Sequence, residues 1–453
     1  MKIAVVGAGI SGLAAAHFLK KGGVEVTVYE KNTVPGGTIG SKAVDGYLVE
    51  NGPNSTSETN FVIDEMLSDL SMKEEKVYAD ESSKYRFIIR DGRLHALPSG
   101  PGSFISTKLW SGGAKIRLFA EPFIGRAEHE ESIADFVTRR LGREFLDYAI
   151  DPFVAGVYAG NPSDLSVRAA FPKLYALEEK YGGLLKGTIR GSRERKKRGT
   201  KAKASAKLFA FRSGMGILPG TIAGELGGSV RFGTAVNGVK KDPSVFVVNF
   251  ISDGKPGNET YDGVVLSTPA FAAAAILNSW LPELSSELLK VKYPPVAVAV
   301  LGYKREQVKI DLKGFGFLVP ELEKRNILGT IWSSSIFPNR APEGFVEFTT
   351  FIGGSRQPKL AALSADEVAK IAHEENASLM KIEGRPAFQA VSKWERAIPQ
   401  YNIGHLSIID AVRHVETLHE GFYICCNYKD GISVADCIAN GKKTAESILQ
   451  GVK

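Results

Sequence analysis

A glycine-rich turn set directly behind an apolar strand constrains this chain more than any other feature. Ile3-Ala4-Val5-Val6 is uncharged and rich in β-branched residues, as a strand buried on both faces must be, and it leads into Gly7-Ala8-Gly9-Ile10-Ser11-Gly12. Gly7 permits the tight turn, Gly9 lets backbone approach a pyrophosphate, and Gly12 lets the next helix lie against the strand. The free N–H groups that open that helix, from Ile10 and Ser11 onward, then face phosphate. A helix is expected over Leu13 to Lys21, stopped by Gly22-Gly23, then a strand from Val24 to Tyr29 ending in Glu30. A carboxylate there accepts from both hydroxyls of an adenosine ribose and disfavours a phosphorylated one. An ordinary strand-to-helix turn without a ligand is the alternative. The acid and second strand in one short βαβ unit argue against it.

The continuation, Lys31-Asn32-Thr33-Val34-Pro35-Gly36-Gly37-Thr38, adds a second glycine turn. It resembles the amino-terminal signature of flavoproteins with two dinucleotide-binding domains, a group that includes amine oxidases, carotenoid desaturases and porphyrinogen oxidases. The resemblance implies FAD as cofactor, held by Gly7, Gly9, Ile10, Ser11, Gly12, Glu30, Lys31, Gly37 and Thr38. A strand Tyr47 to Glu50 then leads into the turn Asn51-Gly52-Pro53-Asn54-Ser55. In that group this turn lies beside the flavin ring.

At 453 residues, with 43% hydrophobic and 24% charged residues, the chain reads as a soluble globular protein of two or three domains. Cys425, Cys426 and Cys437 have no disulfide or C-x-x-C spacing and fit a reducing compartment. Seven scattered histidines offer no metal spacing, so no metal is expected. No leader is expected ahead of residue 3, and the longest nearly apolar run, Pro269 to Leu277, is too short to span a bilayer. The net charge of +7 is local: Lys186 to Lys207 holds ten basic residues and one acid, leaving −2 for the remainder. That segment lacks apolar periodicity and an aromatic for base stacking, so a solvated loop attracted to anionic lipid is expected rather than a nucleic-acid site.

Asp91-Gly92 between Arg86–Arg90 and Arg93–Leu97 signals a hairpin. Ser103 to Gly125 mixes Phe104, Ile105, Trp110, Ile116, Phe119 and Phe123 with Lys108, Lys115 and Arg117, which suits either an interfacial amphipathic element or a helix over a helical core. A helix is expected from Glu131 to Tyr148, and strands from Arg231 to Val236, Gly263 to Thr268, Val296 to Val300 and Phe345 to Ile352, with a helix from Ala365 to Met380.

Asp151 to Arg168, Glu179 to Gly183, Gly314 to Pro320, Leu328 to Ser335, Phe337 to Pro342, Lys393 to Tyr401 and Asn427 to Ile438 together resemble, in order, the motifs of the oxygen-dependent protoporphyrinogen oxidase family. The resemblance implies an α/β fold: a Rossmann-like FAD domain (1–90, 208–270 and 385–453), a helical membrane-binding subdomain (91–207, with the basic loop 186–207) and a sheet-based substrate domain (271–384). It implies that Val236 touches the adenine end of FAD, that Trp394, Ile432, Ser433 and Val434 lie against the flavin, and that Gly156, Phe315, Gly316, Leu318 and Phe351 line the substrate pocket. No catalytic side chain is expected. The implied reaction is oxidation of protoporphyrinogen IX in three two-electron steps, with O2 as acceptor and hydrogen peroxide released, in haem or chlorophyll biosynthesis. A peripheral place on the cytoplasmic membrane face follows, with ferrochelatase or a second copy as partners the resemblance allows. Coproporphyrinogen III is the alternative substrate, because no arginine follows Leu97-Pro98-Ser99-Gly100; Lys108, Lys115, Arg117 or Arg168 would have to pair with a substrate carboxylate. A flavin amine oxidase is the more distant reading. It should carry an aromatic cage near the carboxy terminus, of which Tyr428 makes half.

Overall fold

The computed structural model describes residues 1–197 and 206–451. Strand β1 (Lys2–Val6), helix α1 (Ile10–Lys21) and strand β2 (Glu25–Tyr29) form the expected βαβ unit, the helix starting three residues before Leu13. A five-stranded parallel sheet grows around it, in the order Val230–Arg231, β2, β1, Gly263–Leu266, Phe422–Ile424. Alternate side chains enter two separate cores. Ile3, Val5, Val26, Val28 and Val265 face α1 and the C-terminal helix Val434–Gly451, while Ala4, Val6, Val264 and Leu266 face helices Ala270–Leu277 and His405–Leu418. Both faces are covered, which is why these strands carry no charge inside their runs.

A seven-stranded mixed sheet forms the second body, in the order Phe388–Trp394, Val296–Lys304, Phe345–Gly353, Gly329–Ile331, Gly316–Leu318, Arg86–Arg90, Arg93–Ala96. Helix Ala365–Met380 covers one face through Val368, Ala369, Ala372 and Met380. Ser364 caps it, its hydroxyl accepting from Glu367 N while the Glu367 carboxylate accepts from Ser364 N. The hairpin turns on Asp91 and Gly92, both with positive φ (52° and 67°). Arg86–Arg90 and Phe388–Trp394 hydrogen-bond into this sheet, whereas the expected boundaries 1–90 and 385–453 group them with the dinucleotide-binding body; Arg93–Ala96, expected within the insert 91–207, pairs with Arg86–Arg90 here.

Three sequence expectations change within the helical insert. The helix expected from Glu131 to Tyr148 ends at Arg140, because Gly142 turns the chain at φ 98°; helix Arg143–Phe145, the π-turn Leu146–Ile150 and helix Asp151–Tyr158 follow. Ser103 to Gly125 is not one amphipathic element. It comprises Pro101–Ser106, Gly112–Arg117 and the 3-10 turn Leu118–Phe123, the second starting afresh at the Ser111 cap and the third containing Pro122. The basic segment expected as a loop from residue 186 is helical through Lys197. Its first N–H groups, from Leu184 and Leu185, are taken by the buried Glu121 carboxylate at 2.7 and 3.1 Å, which supplies the start signal that the sequence of 186–207 lacks. Residues 198–205 of that expected loop lie outside the described residues.

Candidate active site

The three glycines of the first turn behave differently when a Cβ is considered at each. At Gly12 it would fall 2.1 Å from the Gly7 carbonyl oxygen, and at Gly7, where φ is 105°, 2.7 Å from Ser267 O. Those two glycines are required by the fold itself. At Gly9 a Cβ would meet no protein atom within 4 Å, so the space in front of it is left for something else. The second glycine turn closes over the first: Gly36 N donates to Ala8 O at 2.8 Å, Gly9 bridges Gly36, and a Cβ on Gly37 would sit 3.6 Å from Gly9 Cα. Ser267 Oγ and Thr268 Oγ1 lie buried beside Gly7 and Gly12 without a hydrogen-bond partner among the described residues. Empty space, open N–H groups and unpartnered hydroxyls are what a dinucleotide pyrophosphate requires.

Glu30 stands buried at the end of β2. Its Oε2 accepts from Ala8 N at 2.9 Å and its Oε1 from Asn32 N and Nδ2 at 2.9 and 2.8 Å. These bonds aim the carboxylate across the turn while its remaining lone pairs stay open. Lys31 is exposed at the rim. Thr234 N and Gly233 N donate to Glu30 O and Asn32 O, tying the strand Thr234–Asp242 to this corner, and Val236 lies on it at a β-bulge.

A cleft of about 390 Å³ opens between the two sheets. One wall is Thr38 with the turn Gly52, Pro53, Asn54 and Ser55; another is Ile432, Ser433 and Val434 at the start of the C-terminal helix. Val296, Val298, Leu328, Phe351 and Trp394 of the mixed sheet face them, together with Ala155, Gly156 and Ala159 of the helical insert. Trp394 is pinned by its Nε1, which donates to Asn51 O at 2.7 Å, and Asn54 Nδ2 reaches Thr349 Oγ1 at 3.3 Å. Ser433 caps the C-terminal helix by accepting from Asp436 N at 3.1 Å, so the positive end of that helix faces the cleft. Thr56 and Thr59 also line the cleft, and their hydroxyls have no hydrogen-bond partner among the described residues.

Thus Gly156 and Phe351 meet in one cavity with Trp394 and the segment 432–434. Leu318 lies directly behind Gly156, its Cδ2 2.4 Å from where a Gly156 Cβ would stand. Phe315 and Gly316 are outside the cleft lining. Phe315 packs against the core beneath the parallel sheet, and Gly316 sits within its strand at φ 131°, where a Cβ would strike Thr330 O. Several lining residues were not expected in the site, among them Thr56, one residue beyond the Gly-Pro turn, and Asn427, which falls within a family-like motif but was given no role there. Tyr428 is fully buried in the core and is not part of the cleft lining, so it supplies no half of an aromatic cage there.

Residues 10–449 match the family described as flavin containing amine oxidoreductase. The chain belongs to that family. Protoporphyrinogen oxidase 2 of Arabidopsis thaliana is 33% identical over 476 residues, spanning 99% of this chain and 94% of the relative. Coproporphyrinogen III oxidase of Bacillus subtilis (strain 168) is 27% identical over 466 residues, spanning 99% and 97%. A solved structure from Exiguobacterium sp. 255-15 superposes with a TM-score of 0.83 at 21% identity over 99% of both chains. The chain is a flavin-dependent oxidoreductase and its cofactor is FAD, which the glycine turn and the open space at Gly9 fit.

Proposed function

We propose that this flavoprotein oxidises protoporphyrinogen IX to protoporphyrin IX with O2 as the final acceptor. The near full-length relationship to a protoporphyrinogen oxidase carries the reading. Each of three rounds removes a hydride from a methylene-bridge carbon and a proton from nitrogen or carbon, and O2 leaves as hydrogen peroxide. When bound, FAD supplies the two-electron acceptor of each round.

The side chains supply position and dryness. Trp394, Phe351, Val296, Val298 and Leu328 make flat apolar walls suited to a macrocycle, and they keep water from the reacting carbon. The C-terminal helix places its positive end where electron density arrives. Gly7, Gly9, Gly12, Glu30 and Gly37 would hold the dinucleotide, and Gly52 to Ser55 with Ile432 to Val434 would flank its redox end.

No lysine or arginine lines the described cleft, which favours a substrate with two carboxylates over one with four. Of the cations considered from sequence, Lys115 caps the carbonyls of Ile105 and Thr107, Arg117 those of Arg139 and Arg140, and Arg168 lies over the Tyr175 ring. Lys108 is exposed. Arg86 is a better candidate for pairing a propionate: its guanidinium lies 5.1 Å from the Phe315 ring centre and has no acidic partner among the described residues. Membrane attachment rests on a group of exposed side chains in the insert, Ile105, Ile116, Phe119 and Phe123, the last 89% exposed, with Lys186 and Arg190 on the neighbouring helix. No helix among the described residues is long and apolar enough to cross a membrane.

Aerobic porphyrin fluorescence of the purified protein with protoporphyrinogen IX, run beside coproporphyrinogen III, tests the proposal. Faster product formation from the first is the expected result. Preference for the second would move the chain to the coproporphyrin-forming reaction, and silence with both would overturn the porphyrinogen reading.

A further inference from the structure

The segment 398–405 is stitched to three parts of the molecule at once. Gln400 Nε2 donates to Tyr158 O at 2.8 Å, Ser166 N donates to Tyr401 O at 2.8 Å, and Gly404 N donates to Glu130 Oε2 at 3.1 Å, all in the helical insert. On its other side lies the loop 427–434, which contributes Asn427, Ile432, Ser433 and Val434 to the cleft.

Tyr401 joins the two sides. Its phenol is buried, donates to the Asn427 carbonyl and accepts from Gly431 N at 3.0 Å, closing both ends of a five-residue turn. Gly431 adopts φ 125°, which a residue with a side chain rarely adopts, so the turn depends on outside support. The Tyr401 ring stacks on His405 at 4.3 Å and 12°, and His405 Nε2 bonds to Tyr428 O at 2.8 Å. Burial raises the Tyr401 pKa well above its ordinary value, so the phenol stays a donor. The tyrosine and histidine together therefore hold the backbone of 427, 428 and 431, immediately before the residues that cap the C-terminal helix.

We infer that Tyr401 is a positioning residue for the redox end of the cofactor, setting how closely Ile432–Val434 and the first turn of the C-terminal helix approach it. The inference rests on the cleft being the flavin site. The positive helix end stabilises charge gained on reduction, and a loosened loop weakens that effect.

Tyr401→Phe keeps the ring and its stack while removing the two loop hydrogen bonds. In the flavin-loaded enzyme the expected result is full flavin content, an altered visible flavin spectrum, a more negative midpoint potential, and kcat lowered roughly five- to tenfold at unchanged KM. His405→Phe, which retains an aromatic stack and loses the bond to Tyr428 O, should shift the potential the same way by less. An unchanged spectrum and potential in both variants would overturn the inference while leaving the flavin site intact. Wild-type protein that takes up no flavin would overturn both.

Discussion

Arg140 Nη1 lies 3.2 Å from Glu121 Oε1, and neither side chain is reached by solvent. The pair belongs to a buried network in which Glu178 bonds Arg140 and Arg139, and Arg139 bonds Glu131. Because the same Glu121 carboxylate accepts from Leu184 N and Leu185 N, the network also fixes where the basic helix begins. Removing one partner strands a buried charge. Arg140→Ala should therefore destabilise the protein by about 3–5 kcal/mol, seen as a lower denaturation midpoint. Proteolysis between residues 184 and 207 should quicken at the same time. An unchanged midpoint would show that the pair is dispensable.

Gly9→Val separates cofactor binding from folding unusually well. A Cβ at this position meets no protein atom within 4 Å, so the fold should survive, whereas the pyrophosphate would meet the new side chain. The expected product is a soluble, colourless protein with wild-type circular dichroism. A yellow, flavin-loaded variant would remove Gly9 from the phosphate site. Gly12→Val, by contrast, should fail to fold, since its Cβ would lie 2.1 Å from Gly7 O.

Glu347 predicts a pH dependence. Desolvation by burial raises its pKa to about 8, opposed by nearby Arg340 and reinforced by Glu50, and its Oε2 has no hydrogen-bond partner among the described residues. Arg340 is already committed to Glu50, at 3.0 Å. A pKa raised above the unfolded value means that the folded protein holds the proton more tightly. The contribution is complete below about pH 4 and is lost as pH rises to about 8, a total on the order of 5 kcal/mol at most. Urea unfolding of wild type and Glu347→Gln across that range checks it. The wild type should lose stability toward pH 8 and the variant should lose less; parallel curves would mean that Glu347 does not titrate abnormally.

Phe315 and Arg86 are tested together. Phe315→Ala and Arg86→Ala should each retain flavin and raise KM for the porphyrinogen, Arg86→Ala by roughly tenfold or more if a charge-assisted pair of about 1.5–3 kcal/mol is lost. Unchanged kinetics in both would place the substrate wholly within the cleft lined by Phe351 and Trp394.

Exposed Phe119 and Phe123 make the membrane proposal measurable. Replacing both by Ser should leave thermal stability within about 0.5 kcal/mol, because neither side chain is buried, while reducing co-sedimentation with vesicles containing anionic lipid. Equal sedimentation by wild type and variant would exclude this face.

The βαβ unit was legible in the sequence because its determinants are local: strand, turn, helix and acid follow one another, and Gly7 and Gly12 are fixed by contacts within the unit and the strand beside it. Helix Ala365–Met380 and the Asp91-Gly92 hairpin were legible for the same reason, since caps and turns act over a few residues. The insert was not. Its helix ends depend on Gly142, and on a carboxylate at Glu121 that caps a helix 63 residues away. The cleft was legible only in part. Gly156, Phe351, Trp394 and Val434 lie far apart in the chain, and only the packing of two sheets and an insert brings them to one cavity. Which buried groups gain partners is likewise a tertiary outcome: Arg340 reaches Glu50 and leaves Glu347 Oε2 without a hydrogen-bond partner among the described residues, and Tyr401 closes a loop 26 residues downstream. Sequence alone determined that this chain builds a dinucleotide-binding unit, because the chemistry of that turn is contiguous. Tertiary structure decided the shape, charge and dryness of the site, because those depend on which distant surfaces exclude water from one another.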